Sequence, residues 1–363
     1  MSKRKRINRR RVIAFFMVVG FGLAMAIMST LQTQSAPVAK KKIRWKMAST
    51  FPGTLPILGT SGVYLSKRIE EVSGSRIKIK FFDPNKLVPP LQVFESVSTG
   101  AVNTGWSAPG YWIGKIPASP LFSAVPFGPD TSEYLAWIYQ GGGVELWREL
   151  YGRHNVVPVP CAVLPPEASG WFREPITRIE QFKGMKIRFY GIGGKVLQKL
   201  GASVQLLAGG DIFLALERGV LDATEFSMPA IDEKLGFYQV AKHYYFPVWH
   251  QQSSILELIV NQRKWDSLDK GEQALIDSVC RDVIVRTMTE GETLQGSALK
   301  RMKSKGVQIH TWPPKILKSL KKTTGEVLKE ESAKDADFAR VLKSLQDFRA
   351  QYAEWKDISR LKD

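Results

Sequence analysis

The stretch from Lys183 to Glu225, KGMKIRFYGIGGKVLQKLGASVQLLAGGDIFLALERGVLDATE, most narrows what this chain can fold into. Its apolar runs and glycine breaks read as strand, helix, strand, helix, strand, the grammar of an open α/β sheet. The first strand, Met185 to Tyr190, is apolar yet carries Arg188 near its carboxyl end. In such sheets the carboxyl ends of parallel strands face the ligand crevice. An arginine there keeps its charge, and its planar fork matches a carboxylate. By pattern alone, an arginine reaching solvent or a structural Glu reads equally well. The stretch closes on Asp222-Ala223-Thr224-Glu225-Phe226, acids in an apolar neighbourhood. One cation and one acid converging on a crevice suggest a small-anion site.

Upstream, Lys42 to Thr50 alternates as a strand, a helix runs to about Val72, and Ile77 to Phe82 is a second strand. Pro89 to Thr99 reads as a helix and Ala101 to Ser107 as a third strand, completing a βαβαβ unit. Asp130 to His154 is helical with a break at Gly141-Gly142-Gly143. Strands are expected over Asn155 to Leu164, Trp171 to Ile176, Tyr244 to Trp249 and Ser254 to Asn261. From Leu268 the pattern is helical apart from Val307 to Thr311. Val97-Ser98-Thr99-Gly100-Ala101-Val102-Asn103 echoes Leu216-Glu217-Arg218-Gly219-Val220-Leu221-Asp222, which fits two similar lobes facing one crevice. The expected fold class is α/β with two lobes. Residues 40–160 make lobe I, with a returning segment about 244–262, and 161–243 make lobe II. Residues 263–363 form a helical region across both.

The formal net charge is +18, but seven basic groups fall within residues 1–11. Val12 to Met28 follows without a charge, and Ser29 to Ala39 is polar and small. This order reads as an export signal over residues 1–39, with an uncleaved N-terminal anchor as the alternative. Asn8-Arg9-Arg10-Arg11 resembles a twin-arginine signal with Asn in the first position, so Sec and Tat routes both stay open. The remaining basic residues are dispersed, which favours a solvated surface over nucleic-acid binding. Cys161 and Cys280 are expected to be two buried free thiols, since one distant pair cannot be bridged on sequence alone.

No P-loop, nucleophile elbow or zinc spacing is present in the sequence. His154, His243, His250 and His310 show no metal-ligand spacing. The positive signals are polar groups among aromatics: Glu167 ahead of Gly170-Trp171-Phe172-Arg173, then Arg188, Glu225-Phe226 and Trp249-His250-Gln251-Gln252. Tyr111 and Trp112 add aromatic walls. Pockets for small ligands are mostly apolar with a few placed polar groups, although a single aromatic is more often core.

At these residues the chain resembles the periplasmic solute-binding subunits of the tripartite ATP-independent (TRAP) transporters, in the branch binding 2-oxo and 2-hydroxy monocarboxylates. The resemblance rests on Tyr111-Trp112-Ile113-Gly114-Lys115, Pro126-Phe127-Gly128, Tyr134-Leu135-Ala136-Trp137, Gly170-Trp171-Phe172-Arg173 and the runs from Phe182 to Arg188, Ala215 to Glu225 and Tyr244 to His250. It implies a periplasmic-binding-protein-like fold, two lobes closing around a long helix, and no catalysis. It implies a small carboxylate ligand, delivery to TRAP membrane permease subunits, and a periplasmic location. Its carboxylate anchor falls on Arg188. Its cation site falls on Glu167, Glu225, the carbonyl of Phe226, and Gln251, where Glu replaces the usual Gln at 167 and Gln the usual Glu at 251. An oxygen-lined site for Ca²⁺ or Na⁺ is then expected, and no organic cofactor. Trp249, Tyr111 and Trp112 complete the expected ligand site. A periplasmic carboxylate-processing enzyme and a membrane-tethered sensing module are the competing readings, and the oligomeric state is open, a homodimer included.

Overall fold

A computed structural model describes residues 42–359 of the 363-residue chain, so the expected export signal or anchor lies outside the described residues. The strands are β1 (Ile43–Ser49), β2 (Ile77–Phe82), β3 (Thr104–Ser107), β4 (Val156–Leu164), β5 (Gly170–Phe172), β6 (Lys186–Arg188), β7 (Ser203–Gln205), β8 (Ala223–Thr224), β9 (His243–Phe246), β10 (Ser254–Asn261) and β11 (Gln308–Thr311). The helices are α1 (Thr60–Val72), α2 (Val93–Ser98), α3 (Thr131–Gln140), α4 (Gly143–Gly152), α5 (Gly191–Lys199), α6 (Gly209–Glu217), α7 (Pro229–Leu235) and α8 (Gln262–Asp266). Three longer ones follow: α9 (Lys270–Ser304), α10 (Pro314–Lys334) and α11 (Ala336–Ser359).

Two sheets result. The first has the order β2-β1-β3-β10-β4, parallel among β1, β2 and β3, with β10 antiparallel to both its neighbours. The second has the order β11-β9-β5-β8-β6-β7. Within it, β6 runs parallel to β7 and β8, while β5 is antiparallel to β8 and β9. The Lys183–Glu225 stretch thus forms β6-α5-β7-α6-β8 in the order its pattern predicts.

The segment expected to return over about 244–262 is divided. β9 stays in the second sheet, paired with β5 through Trp171 and Tyr244, and only β10 crosses to the first. Pro247 follows β9 directly, and a residue without a backbone N–H ends the ladder there. The strand expected over Trp171 to Ile176 is shorter, spanning Gly170–Phe172.

Buried along its whole length, β4 carries Pro158 and Pro160, so it sits at the sheet edge, where missing donors break no ladder. Helix α9 packs over it. Its first turn is held by a reciprocal capping box: Glu272 N–H donates to Asp269 Oδ1 at 2.8 Å, and Asp269 N–H to Glu272 Oε2 at 2.7 Å. Thr287 of α9 accepts from Val163 N–H at 3.0 Å. The two cysteines are not free thiols. Cys161 of β4 and Cys280 of α9 are bonded at 2.09 Å, brought together across 119 residues by that packing. Sequence spacing carries no trace of the contact.

The same helix reaches the second sheet, where Gln295 accepts from Ala230 N–H at 3.0 Å and Arg301 pairs with Glu233 at 2.7 Å. α10 meets α5 through Lys199–Glu330 at 2.7 Å, and α11 meets α3 through Arg349–Glu133 at 2.7 Å. The C-terminal helices therefore span both sheets, with β11 as a strand added to the second.

Candidate functional site

Parallel strands β6 and β8 end side by side, with Arg188 paired to Thr224 in register, so Arg188 and Glu225 emerge together at the carboxyl ends of these strands. Both are buried. Arg188 Nη1 donates to the Glu225 carbonyl at 2.6 Å and to Glu225 Oε2 at 3.0 Å, and Nε donates to Leu207 O at 3.2 Å. The Phe226 ring lies 5.1 Å from the guanidinium centre. A Cβ on Gly209 would come within 2.5 Å of that ring, so the start of α6 needs a glycine to let it in. Three contacts on one cation fix the plane of its fork.

Two crossing segments supply the opposite side. Glu167 N–H donates to Gln251 O at 3.3 Å, Ala168 N–H to Ser227 O at 3.1 Å, and Ser169 N–H to Tyr245 O at 2.8 Å. This backbone pairing sets Glu167, His250 and Gln251 beside Glu225. One ligating atom from each of Glu167, Glu225 and His250 lies within 4.8 Å of the others, and all three side chains are buried. His250 Nε2 is 3.6 Å from Glu225 Oε1.

The carboxylates differ. Burial pushes Glu225 up, but the Arg188 guanidinium and the His250 ring outweigh it and hold the group below its usual range. Glu167 is pushed well above its usual range, first by burial and then by the charges of Glu225 and Asp232. Its single hydrogen bond comes from Ser227 Oγ at 3.3 Å. Asp232 positions that serine, accepting from Ser227 N–H at 3.1 Å and, on its other oxygen, from Trp171 Nε1 and Tyr244 OH, each at 2.9 Å.

Buried polar atoms normally find partners. Here Glu167 Oε2, Glu225 Oε1, Gln251 Oε1 and both His250 ring nitrogens have no hydrogen-bond partner among the described residues, and Glu167, Glu225 and His250 gather at one place. Such a donor set fits a cation bound mainly through oxygen.

Between the sheets lies a crevice of about 300 Å³, the open space at its mouth included. Arg188, Phe226, Gln251 and Tyr111 line it, with Ser227 and Tyr190. Burial pushes the Tyr111 hydroxyl up to about 12, against the lowering influence of Arg188. The opposite wall is apolar: Phe51, Leu58, Leu164 and Leu256.

The structure brings Arg188, Phe226, Gln251 and Tyr111 together along the crevice, with Glu167 and Glu225 in the buried cluster beside it. Trp112 and Trp249, like Glu167 and Glu225, are not among the residues that line the crevice itself. Trp112 turns to Glu257, donating to Oε1 at 2.6 Å, and Trp249 packs on Phe189 at 5.6 Å. His250, within the Trp249–Gln252 run, joins the carboxylates although its spacing in sequence marks no metal ligand. Tyr190, two residues past Arg188, and the leucine wall also line the crevice, and the sequence carries no signal for them.

Residues 48–335 match the family described as bacterial extracellular solute-binding protein, family 7. A monocarboxylate 2-oxoacid-binding periplasmic protein of Nostoc sp. is 33% identical over 356 residues, covering 98% of this chain and 97% of its own length. A TRAP transporter solute-binding protein from Bordetella bronchiseptica, a mixed-occupancy dimer with copurified calcium and picolinate in one site, superposes with a TM-score of 0.86. It is 31% identical and covers 88% of this chain and 95% of its own. One from Pseudoalteromonas atlantica, with bound sodium and pyruvate, has a TM-score of 0.83, 33% identity and coverages of 87% and 96%.

Proposed function

The chain belongs to bacterial extracellular solute-binding protein family 7, and we propose that it captures a small 2-oxo or 2-hydroxy monocarboxylate for a TRAP membrane permease. The observation that carries the reading is one oriented, buried guanidinium facing a cluster of buried oxygens without hydrogen-bond partners among the described residues. Arg188 receives the ligand carboxylate. Glu167, Glu225, Gln251 and the carbonyl of Phe226 hold a cation, with His250 beside them. Bound there, a hard cation such as Ca²⁺ or Na⁺ offsets the negative charge and offers coordination to the ligand's oxygens. The calcium and sodium named for the Bordetella and Pseudoalteromonas proteins support this assignment. The apolar wall excludes water and accepts the ligand's carbon tail.

The first sheet forms lobe I and the second lobe II, and α9 to α11 form the helical region across them. The lobes close by a hinge at the crossing segments 165–169 and 247–253. Residues 1–39 direct export to the periplasm. The protein binds and releases without turnover. A calorimetric panel of 2-oxo and 2-hydroxy acids tests this, followed by recovery of the bound acid. Recovery of the acid unchanged is expected. A consumed acid, or no binding across the panel, overturns the proposal.

A further inference from the structure

Tyr190 touches both halves of the crevice. Its backbone N–H donates to Glu225 Oε2 at 3.0 Å, beside the Arg188 contact on the same oxygen. Its side chain reaches the other way. The phenol oxygen accepts from Gly110 N–H at 2.6 Å and shares a hydrogen bond with Ser123 Oγ at 3.0 Å. Gly110 lies just beyond β3, and Ser123 bonds to Ile255 of β10, both on the side of the first sheet. Tyr111, next to Gly110, stands edge-on to the ring at 5.2 Å.

Gly110 is shaped to this contact. A Cβ there would lie 2.3 Å from Tyr190 Cζ and 2.5 Å from its oxygen. The ring is boxed in by Tyr111 and Ser123, so it cannot move aside cheaply. The glycine makes room for one particular side chain from the opposite sheet.

Resting on the functional reading above, we infer that Tyr190 is the positioning residue that ties Glu225 to closure of the two lobes. With the lobes apart, water satisfies the Gly110 amide and the phenol. With the lobes closed, both are buried, and only each other and Ser123 satisfy them. Closing therefore draws in the residue whose backbone N–H orients the Glu225 carboxylate.

The test uses the full chain with pyruvate and Ca²⁺ as probes. Tyr190→Phe keeps the ring and removes the partner of a buried amide in the closed form alone. Its affinity should fall by about 5- to 150-fold, mostly through faster release. The unfolding midpoint without added acid should stay near that of the unaltered protein, and the contraction seen by solution scattering on adding pyruvate should shrink. Gly110→Ala should weaken binding similarly, but change it little in a Tyr190→Leu background, where the ring it collides with is gone. Tyr190→Phe and Gly110→Ala proteins that hold and release pyruvate like the unaltered one overturn the inference and leave the functional reading standing. An unaltered protein that binds no acid of the panel overturns both.

Discussion

Arg188 is the residue on which the rest of the site is built, because it is buried and three of its contacts are to Leu207 and Glu225. Arg188→Lys replaces a planar fork with a point charge, and charged hydrogen bonds are worth ~1.5–3 kcal/mol. Ligand affinity should drop more than about tenfold by calorimetry. Undiminished affinity would remove Arg188 as the anchor. Away from the crevice, Glu257 is fully buried and accepts from Trp112 Nε1 at 2.6 Å. Burial pushes it up to about 8, against the lowering influence of the Trp112 hydrogen bond. Its folded-state pKa is raised, so its contribution to stability is full below the unfolded value and is lost as pH rises through about 8. Glu257→Gln should flatten the pH dependence of the thermal midpoint between about pH 5 and 8, while an unchanged slope would show that the group titrates normally. The side-by-side position of Arg188 and Glu225 was legible because the sequence marks both as strand ends of one α/β sheet. The direction of the Trp112 ring was not. An aromatic beyond a strand end can face either the crevice or its own sheet, and a buried acid on β10 decided the matter.

At the scale of elements, the β–α alternation of both sheets followed from hydrophobic period and glycine breaks. The order of strands did not. β9 and β10 look alike in sequence, yet one completes the second sheet and the other inserts between β3 and β4 of the first. Such choices are made by packing partners far along the chain. The Cys161–Cys280 bond is the sharpest case, since 119 residues separate two cysteines that share one helix–strand contact. Closing a loop of that length removes unfolded-state entropy worth about 4–5 kcal/mol in the chain-entropy account. Cys161→Ala/Cys280→Ala should therefore unfold at markedly lower denaturant concentration. At room temperature its pyruvate affinity should match that of the unaltered protein, because the bond lies on the outer edge of the first sheet. Equal denaturant midpoints would mean that the bond constrains little.

Across the whole molecule, α9 is the common frame. Its 35 residues extend roughly 50 Å, long enough to bond to β4 near one end and to Glu233 near the other. In the proposed closure the two sheets approach each other while staying attached to one rod, and what meets between them is a guanidinium on one face and leucines on the other. Charge sets the condition for that meeting. In the proposed function a carboxylate ligand joins Glu225 at a site with one arginine, beside a Glu167 carboxyl held well above its usual range, and charges removed from water need partners. A bound cation would supply one and favour the ionised form of Glu167. The most direct measurement is a pyruvate titration of protein stripped of metal, as verified by elemental analysis, and of the same protein resupplied with Ca²⁺ or Na⁺. Binding should be tight only after the ion is restored, with ion and acid each strengthening the other. Equally tight binding of pyruvate by the metal-free protein would contradict the account.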